Sequence, residues 1–155
     1  MRRLGLAAAA ALAACNPGAA PSEPAAGNQA QIGLERVPLT VISENGSHRF
    51  TVEVARTEEQ QRMGLMFRTE LGPDQGMIFP YQPPQDVSFW MKDTLIPLDI
   101  IFVRANGTIA RITTAVPRSL APVPSGEAIA LVFEIPGGRA AELGIRPGDR
   151  VEWKG

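Results

Sequence analysis

The chain holds one cysteine, Cys15, in 155 residues. A lone thiol close to the N-terminus builds no disulfide framework and leaves the rest of the chain without a thiol for catalysis or metal binding. Histidine is equally scarce. His48 is the single copy, it sits beside a hairpin turn, and no G-x-S-x-G elbow accompanies it, so a Ser-His-Asp device has no support. Positive charge is not in excess: 15 basic residues face 16 acidic ones. Nucleic-acid binding draws its affinity from clustered Lys and Arg neutralising phosphates, so that class of partner is excluded. No sequence motif implies a cofactor, and the N-terminal apolar run, residues 4–12, is too short to span a bilayer.

That run nevertheless has a purpose. Arg2 and Arg3 precede it, and the small residues Ala13 and Ala14 follow it, the layout of an export signal. Cys15 immediately after them makes Leu12-Ala13-Ala14-Cys15 resemble the lipobox of bacterial lipoproteins. The resemblance implies a diacylglyceryl thioether on Cys15, cleavage before that residue and a further acyl chain on the freed amine. Each buried methylene adds about 0.8 kcal/mol, so two or three chains hold a protein to a bilayer where one does not. Asn16 stands where an aspartate would favour inner-membrane retention, which points to the outer membrane, facing the periplasm. The expected organisation is a leader at 1–14, a lipidated cysteine and Ala/Pro/Gly tether at 15–36, and one folded domain at 37–155. The tether is too poor in large apolar side chains to order itself and spans roughly 25 Å as a random coil.

Short strands dominate the remainder. Residues 39–42 and 50–54 are β-rich and flank Asn45-Gly46, a hairpin signal. Thr57-Glu58-Glu59-Gln60 is a capping box that opens a helix to about Met63, with Gly64 as its stop. Further strands are expected at 77–79, 87–91 and 98–103, the last nearly all apolar and therefore central. Asn106-Gly107 marks a second hairpin into 109–116, and 128–135 is another apolar strand, with Glu134 standing out near its end. A short helix at 139–143, stopped by Gly144, leads into a closing strand at 150–153. The fold class expected is mainly β: a compact antiparallel barrel-like or sandwich domain with one or two short helices, an arrangement that limits open edges.

Three motifs run through this part: Arg62-Met63-Gly64-Leu65-Met66-Phe67-Arg68, Gly76-Met77-Ile78-Phe79, and the stretch from Phe89-Trp90-Met91-Lys92-Asp93-Thr94 through Pro97-Leu98-Asp99-Ile100 to Phe102. They resemble the patterns R-x-x-G-L-M-x-R, G-M-x-F and F-W-M-K-N-T-x-x-P-L-D-I-x-F of the bacterial and archaeal family called domain of unknown function 192, over residues 37 to about 149. The resemblance implies a small β-rich domain, often exported, with no established biochemical activity. One departure is visible: Asp93 stands where the family most often has asparagine, and an ionised carboxylate only accepts hydrogen bonds.

The densest aromatic and ionic stretch supplies the candidate ligand-binding site: Trp90, Lys92, Asp93 and Asp99, with Arg62 and Arg68 as further candidates. In a strand over 87–92, alternation puts Trp90 and Lys92 on one side and Phe89 and Met91 on the other. Trp90, Lys92 and Asp93 could bind a sugar, peptide or lipid headgroup, by stacking for shape and charge for orientation; alternatively Trp90 fills the core beneath a snorkelling Lys92. Asp99, inside an apolar run, needs a partner, for which Arg62, Arg68 and Lys92 are candidates. Two alternatives stay open beside a binding or accessory module of the cell envelope. One is a carboxylate-dependent hydrolase using a pair drawn from Asp93, Asp99 and Glu134. The other is a Cu(I) site built from Met63, Met66, Met77 and Met91, whose thioethers are soft ligands but also common gap-fillers in cores. The sequence does not speak to oligomeric state. If the leader is processed as its residues imply, mass spectrometry of the exported protein finds an acylated Cys15 as residue one; an unmodified thiol there would remove the anchor.

Overall fold

The computed structural model describes residues 29–155. The leader, Cys15 and all but the end of the tether therefore lie outside the described residues. Nine strands and two short helices follow in order: β1 Arg36–Ser43, β2 Gly46–Val54, α1 Glu58–Met63, β3 Gln75–Gln85, β4 Ser88–Phe89, β5 Leu98–Val103, β6 Ile109–Ala115, β7 Val123–Pro124, β8 Ile129–Pro136, α2 Arg139–Leu143 and β9 Arg150–Trp153. Seven strands form one sheet in the order β6-β5-β8-β3-β2-β1-β9, while β4 and β7 pair separately.

The mainly β class with two short helices is as the sequence implies. Two features differ from an antiparallel barrel or sandwich. First, β2 and β3 run parallel, because residues 55–74, including α1, form a crossover long enough to return the chain to the same end of the sheet. Second, the sheet is not closed: its edge strands β6 and β9 approach only through the isolated bridge between Thr108 and Arg150 and a few adjoining backbone bonds, such as Val151 N–H to Gly107 O at 2.8 Å. The first hairpin forms as expected with its loop one residue earlier, at Glu44-Asn45, since Ser43 already pairs with Gly46.

Each face of the curled sheet carries its own core. The inner face gathers Leu39, Val41, Phe50, Val52, Ile101, Phe133 and Val151, with Phe50 edge-on to Phe133 at 5.2 Å. The outer face presents Met77, Phe79, Leu98, Ile100, Phe102 and Val132, and is covered by Leu65 and Met91 from the connecting segments. Burial on both faces is why all six residues of β5 are buried and why its sequence shows no polar alternation. Gly76 in β3 has a steric cause: a Cβ there would lie 2.4 Å from the Glu134 carbonyl oxygen, so the close approach of β3 to β8 admits only glycine.

Asp99 is not where the sequence reading placed it. It alternates onto the inner face of β5, buried, with no arginine or lysine as partner. Its carboxylate instead accepts hydrogen bonds from the Gly138 and Ala140 backbone N–H groups, both at 2.9 Å, and from the Thr114 hydroxyl at 2.6 Å. Three donors do the work expected of a salt bridge, and they tie the start of α2 and strand β6 to β5. Asp99 is thereby removed from the candidate ligand-binding and hydrolytic residues. Asp99→Ala strands these donors in a buried place and is expected to cost about 2–4 kcal/mol in urea unfolding, with no effect on any ligand bound at Trp90 on the other face. A loss below the error of the unfolding measurement would contradict this role.

Candidate ligand-binding cleft

The cover on the outer face begins with α1. The Thr57 hydroxyl accepts from Gln60 N–H at 3.1 Å and the Gln60 carboxamide oxygen accepts from Thr57 N–H at 3.0 Å, the reciprocal cap anticipated above. After Gly64 the chain turns back, and Phe67 donates its N–H to the Asp93 carbonyl at 2.8 Å. Asp93 belongs to a tight turn closed by Thr94 N–H to Met91 O at 3.1 Å. A third segment grips the same turn: Met91 N–H donates to Ser119 O at 2.9 Å and Arg118 N–H to Thr94 O at 3.0 Å.

Among the described residues, Phe67, Asp93 and Arg118 are the non-glycine positions with positive φ, at 63°, 54° and 60°. All three meet at this turn, and residues held in such conformations concentrate at functional sites. The conformation also accounts for the Asp93 departure. Asparagine and aspartate are the residues that tolerate left-handed backbone, so the backbone explains either residue at this position without appeal to a paired amide.

Residues 90–94 do not continue the strand expected over 87–92, since β4 ends at Phe89. The division of faces nevertheless follows the expected alternation. Met91 is buried and Phe89 packs edge-on to Phe79 at 5.0 Å, whereas Trp90 is 50% exposed. The Lys92 ammonium lies 5.5 Å from the Trp90 ring centroid, within cation–π range. Around them opens a cleft of about 400 Å³, with Arg62, Met63, Met66 and Phe67 on one wall and Trp90, Lys92 and Asp93 on the other.

Behind it lies a chamber of about 40 Å³ that shares Arg62, Met63, Met66 and Trp90 with the cleft and is bounded inside by Leu65, Phe79, Phe89 and Glu134. Glu134 is 4% exposed, and no charged or hydrogen-bonding group offsets its burial, which pushes its carboxyl up to about 8. Tyr81 nearby is raised to about 12, first by its own burial and then by the charge of Glu134. Cross-strand register sets Glu53, Met77, Glu134 and Ile100 in one row across β2, β3, β8 and β5. The two acids of that row are treated in opposite ways. Glu53 is ion-paired to Arg68 and to Arg36, the latter at 3.2 Å, while Glu134 is left facing the chamber.

Of the candidate residues, the fold thus assembles Arg62, Trp90, Lys92 and Asp93. Arg68 is elsewhere: its guanidinium pairs with Glu53 and donates to Gln31 O at 2.9 Å. The methionines separate likewise. Met63 and Met66 line the cleft, whereas Met77 and Met91 are buried in the outer core. Among the described residues no three His, Cys, Asp or Glu side chains cluster as a metal site. In the sequence Glu134 stands out as an acid interrupting an apolar strand, but nothing local places it behind Trp90. Phe67 as a cleft residue carried no signal at all. A larger depression of about 560 Å³ lies where the sheet fails to close, between β9 and the ends of β3, β5 and β8. Its rim charges are engaged with one another, Arg104 with Glu127 and Arg150 with Glu152.

Fold and cleft together define a small mixed-sheet domain with a strained, aromatic and charged opening on its outer face. The chain belongs to the DUF192 family, described as Uncharacterized ACR, whose model matches residues 40–153. Two solved structures share the fold. A protein of unknown function from Novosphingobium aromaticivorans DSM 12444 is 52% identical, with a TM-score of 0.77 over 78% of this chain and 87% of that one. A putative transcription regulator from Sinorhizobium meliloti 1021 is 38% identical, with a TM-score of 0.76 over 79% of this chain and 97% of that one. No curated protein matches the chain.

The raised carboxyl makes a test of the chamber in the free protein. Glu134 binds its proton more tightly folded than unfolded, so the stability it confers is fully present below the unfolded value of 4.5 and is lost as pH rises through about 8. Relative to Glu134→Gln, the wild type should therefore lose on the order of 3–5 kcal/mol between those limits and change little beyond them. Chemical unfolding at several pH values measures this, and parallel curves for the two proteins would refute the burial of an unpaired carboxyl.

Proposed function

We propose that the protein is a binding module of the cell envelope, moored by lipid on Cys15, that recognises its ligand in the Trp90 cleft. The observation that carries this reading is the half-exposed Trp90, set beside Lys92, Asp93 and Arg62 in a concavity whose lining backbone is left-handed at Phe67 and Asp93. A binding site needs an apolar surface with a few fixed polar groups, and rigidity limits the entropy lost when the ligand docks. An envelope sugar, peptide or lipid headgroup matches an indole face bordered by both signs of charge. No helix among the described residues is long and apolar enough to cross a membrane, which leaves attachment to the lipid in this reading. Transcription regulation, the role given to the Sinorhizobium protein, is not favoured for this chain by its balance of 15 basic and 16 acidic residues.

Hydrolysis by paired carboxylates is the second reading, and with Asp99 engaged by backbone donors it would rest on Asp93 and Glu134. Binding is tested by thermal-shift screening of the purified protein against envelope sugars, peptides and lipid headgroups. The expected hit raises Tm for the wild type and loses at least tenfold in affinity in Trp90→Ala, the order of effect of removing a buried aromatic anchor. Hits indifferent to Trp90→Ala would move the site away from the cleft.

A further inference from the structure

Resting on that reading, we propose that the chamber behind Trp90 receives a primary ammonium group of the ligand, with the Glu134 carboxylate as its counter-ion. Arg62, shared with the outer cleft, is the one cation on the chamber wall, and most of the remaining lining presents negative potential or polarizable density. Phe79, Phe89 and Trp90 contribute rings, Met63 and Met66 thioethers, and Glu134 a carboxyl with no other partner. Aromatic rings around a carboxylate are the recurrent chemistry of cation recognition. An apolar group would leave that acid buried and unsatisfied. Size narrows the choice further. About 40 Å³ admits a head the size of a water molecule, which an –NH₃⁺ matches and a quaternary ammonium exceeds.

Charge balance follows directly. In the free protein Glu134 holds a proton near neutral pH, and an entering ammonium stabilises the carboxylate, so one proton leaves to solvent for each cation taken up. Among the other charged and titratable groups, Arg62 stands on the wall shared with the cleft, and Tyr81, close enough to feel the Glu134 charge but outside the chamber lining, is raised to about 12 and stays neutral across the interval of interest. Glu53, in the same row, is already paired with Arg36 and Arg68, and Lys92 and Asp93 lie in the outer cleft.

The test is an NMR titration of the purified protein with n-butylammonium chloride, with n-butanol and tetramethylammonium chloride as matched probes, following the Trp90 indole and the Glu134 carboxyl carbon. Butylammonium alone should shift both signals. Its affinity should rise about 50-fold from pH 6 to pH 8 as Glu134 ionises, and the Glu134 midpoint should fall by a unit or more at saturation. Glu134→Gln should weaken binding at pH 8 at least tenfold; the midpoint shift in the wild type decides the matter independently if that variant folds poorly. Butylammonium that fails to bind, binds no better than butanol, or leaves the Glu134 midpoint unchanged would overturn the ammonium site. If envelope ligands still require Trp90 in that event, the cleft survives as a binding site and only the assignment of its inner chamber falls. If Trp90→Ala is also without effect, both readings fall.

Discussion

One backbone hydrogen bond, from Phe67 N–H to the Asp93 carbonyl at 2.8 Å, fastens two connecting segments to each other over the outer face of the sheet. Without such a fastening the outer core would have only loops to cover it. The bond requires left-handed backbone at both of its ends, a conformation unfavourable for a phenylalanine. The cost is offset by the apolar area that Leu65, Met91 and Phe89 bury on either side of the turn. The same geometry forces Trp90 outward, because its neighbours Phe89 and Met91 are both committed inward. The cleft is thus a consequence of how the outer core is closed, which is why the most distinctive motif of the chain is at once a packing device and a candidate site.

Glu53 and Glu134 show how one sheet row can serve two ends. Both acids project from the outer face, separated by Met77, and both are buried. Arginines from the first strand and from the α1–β3 connection neutralise Glu53, making it part of the cover. Glu134 receives neither arginine nor backbone donor and bears the full desolvation of its site. A fold that left such an acid unpaired without use would gain stability by replacing it, and native proteins seldom retain that kind of defect outside a functional place.

Features set by neighbouring residues were legible in the sequence. The capping box at Thr57, the Gly64 and Gly144 helix stops, the hairpin into β6 and the closing strand β9 all depend on contacts a few residues apart, and they stand as anticipated. Features set by distant parts of the chain were not. The parallel pairing of β2 with β3 has no local signature, and without it the sheet reads as an antiparallel barrel. Asp99 illustrates the same limit: a buried acid announces a need for partners, but its alternation onto the inner face delivers it to the start of α2 rather than to an arginine. The cleft was half legible, since Trp90 and Lys92 stand out in composition while Phe67, Met66 and Glu134 reach them only through the crossover and the sheet order.

The central claim is that chemistry on this domain resides at the Trp90 cleft and not at the larger opening beside Trp153. Chemical-shift mapping of the isotopically labelled protein against a mixed library of envelope sugars, peptides and amines tests it most directly. The account predicts that perturbed amides cluster at Arg62, Met63, Met66, Phe67, Trp90, Lys92 and Asp93. Perturbations confined to residues 103–107 and 150–153, around the unclosed edge of the sheet, would contradict it.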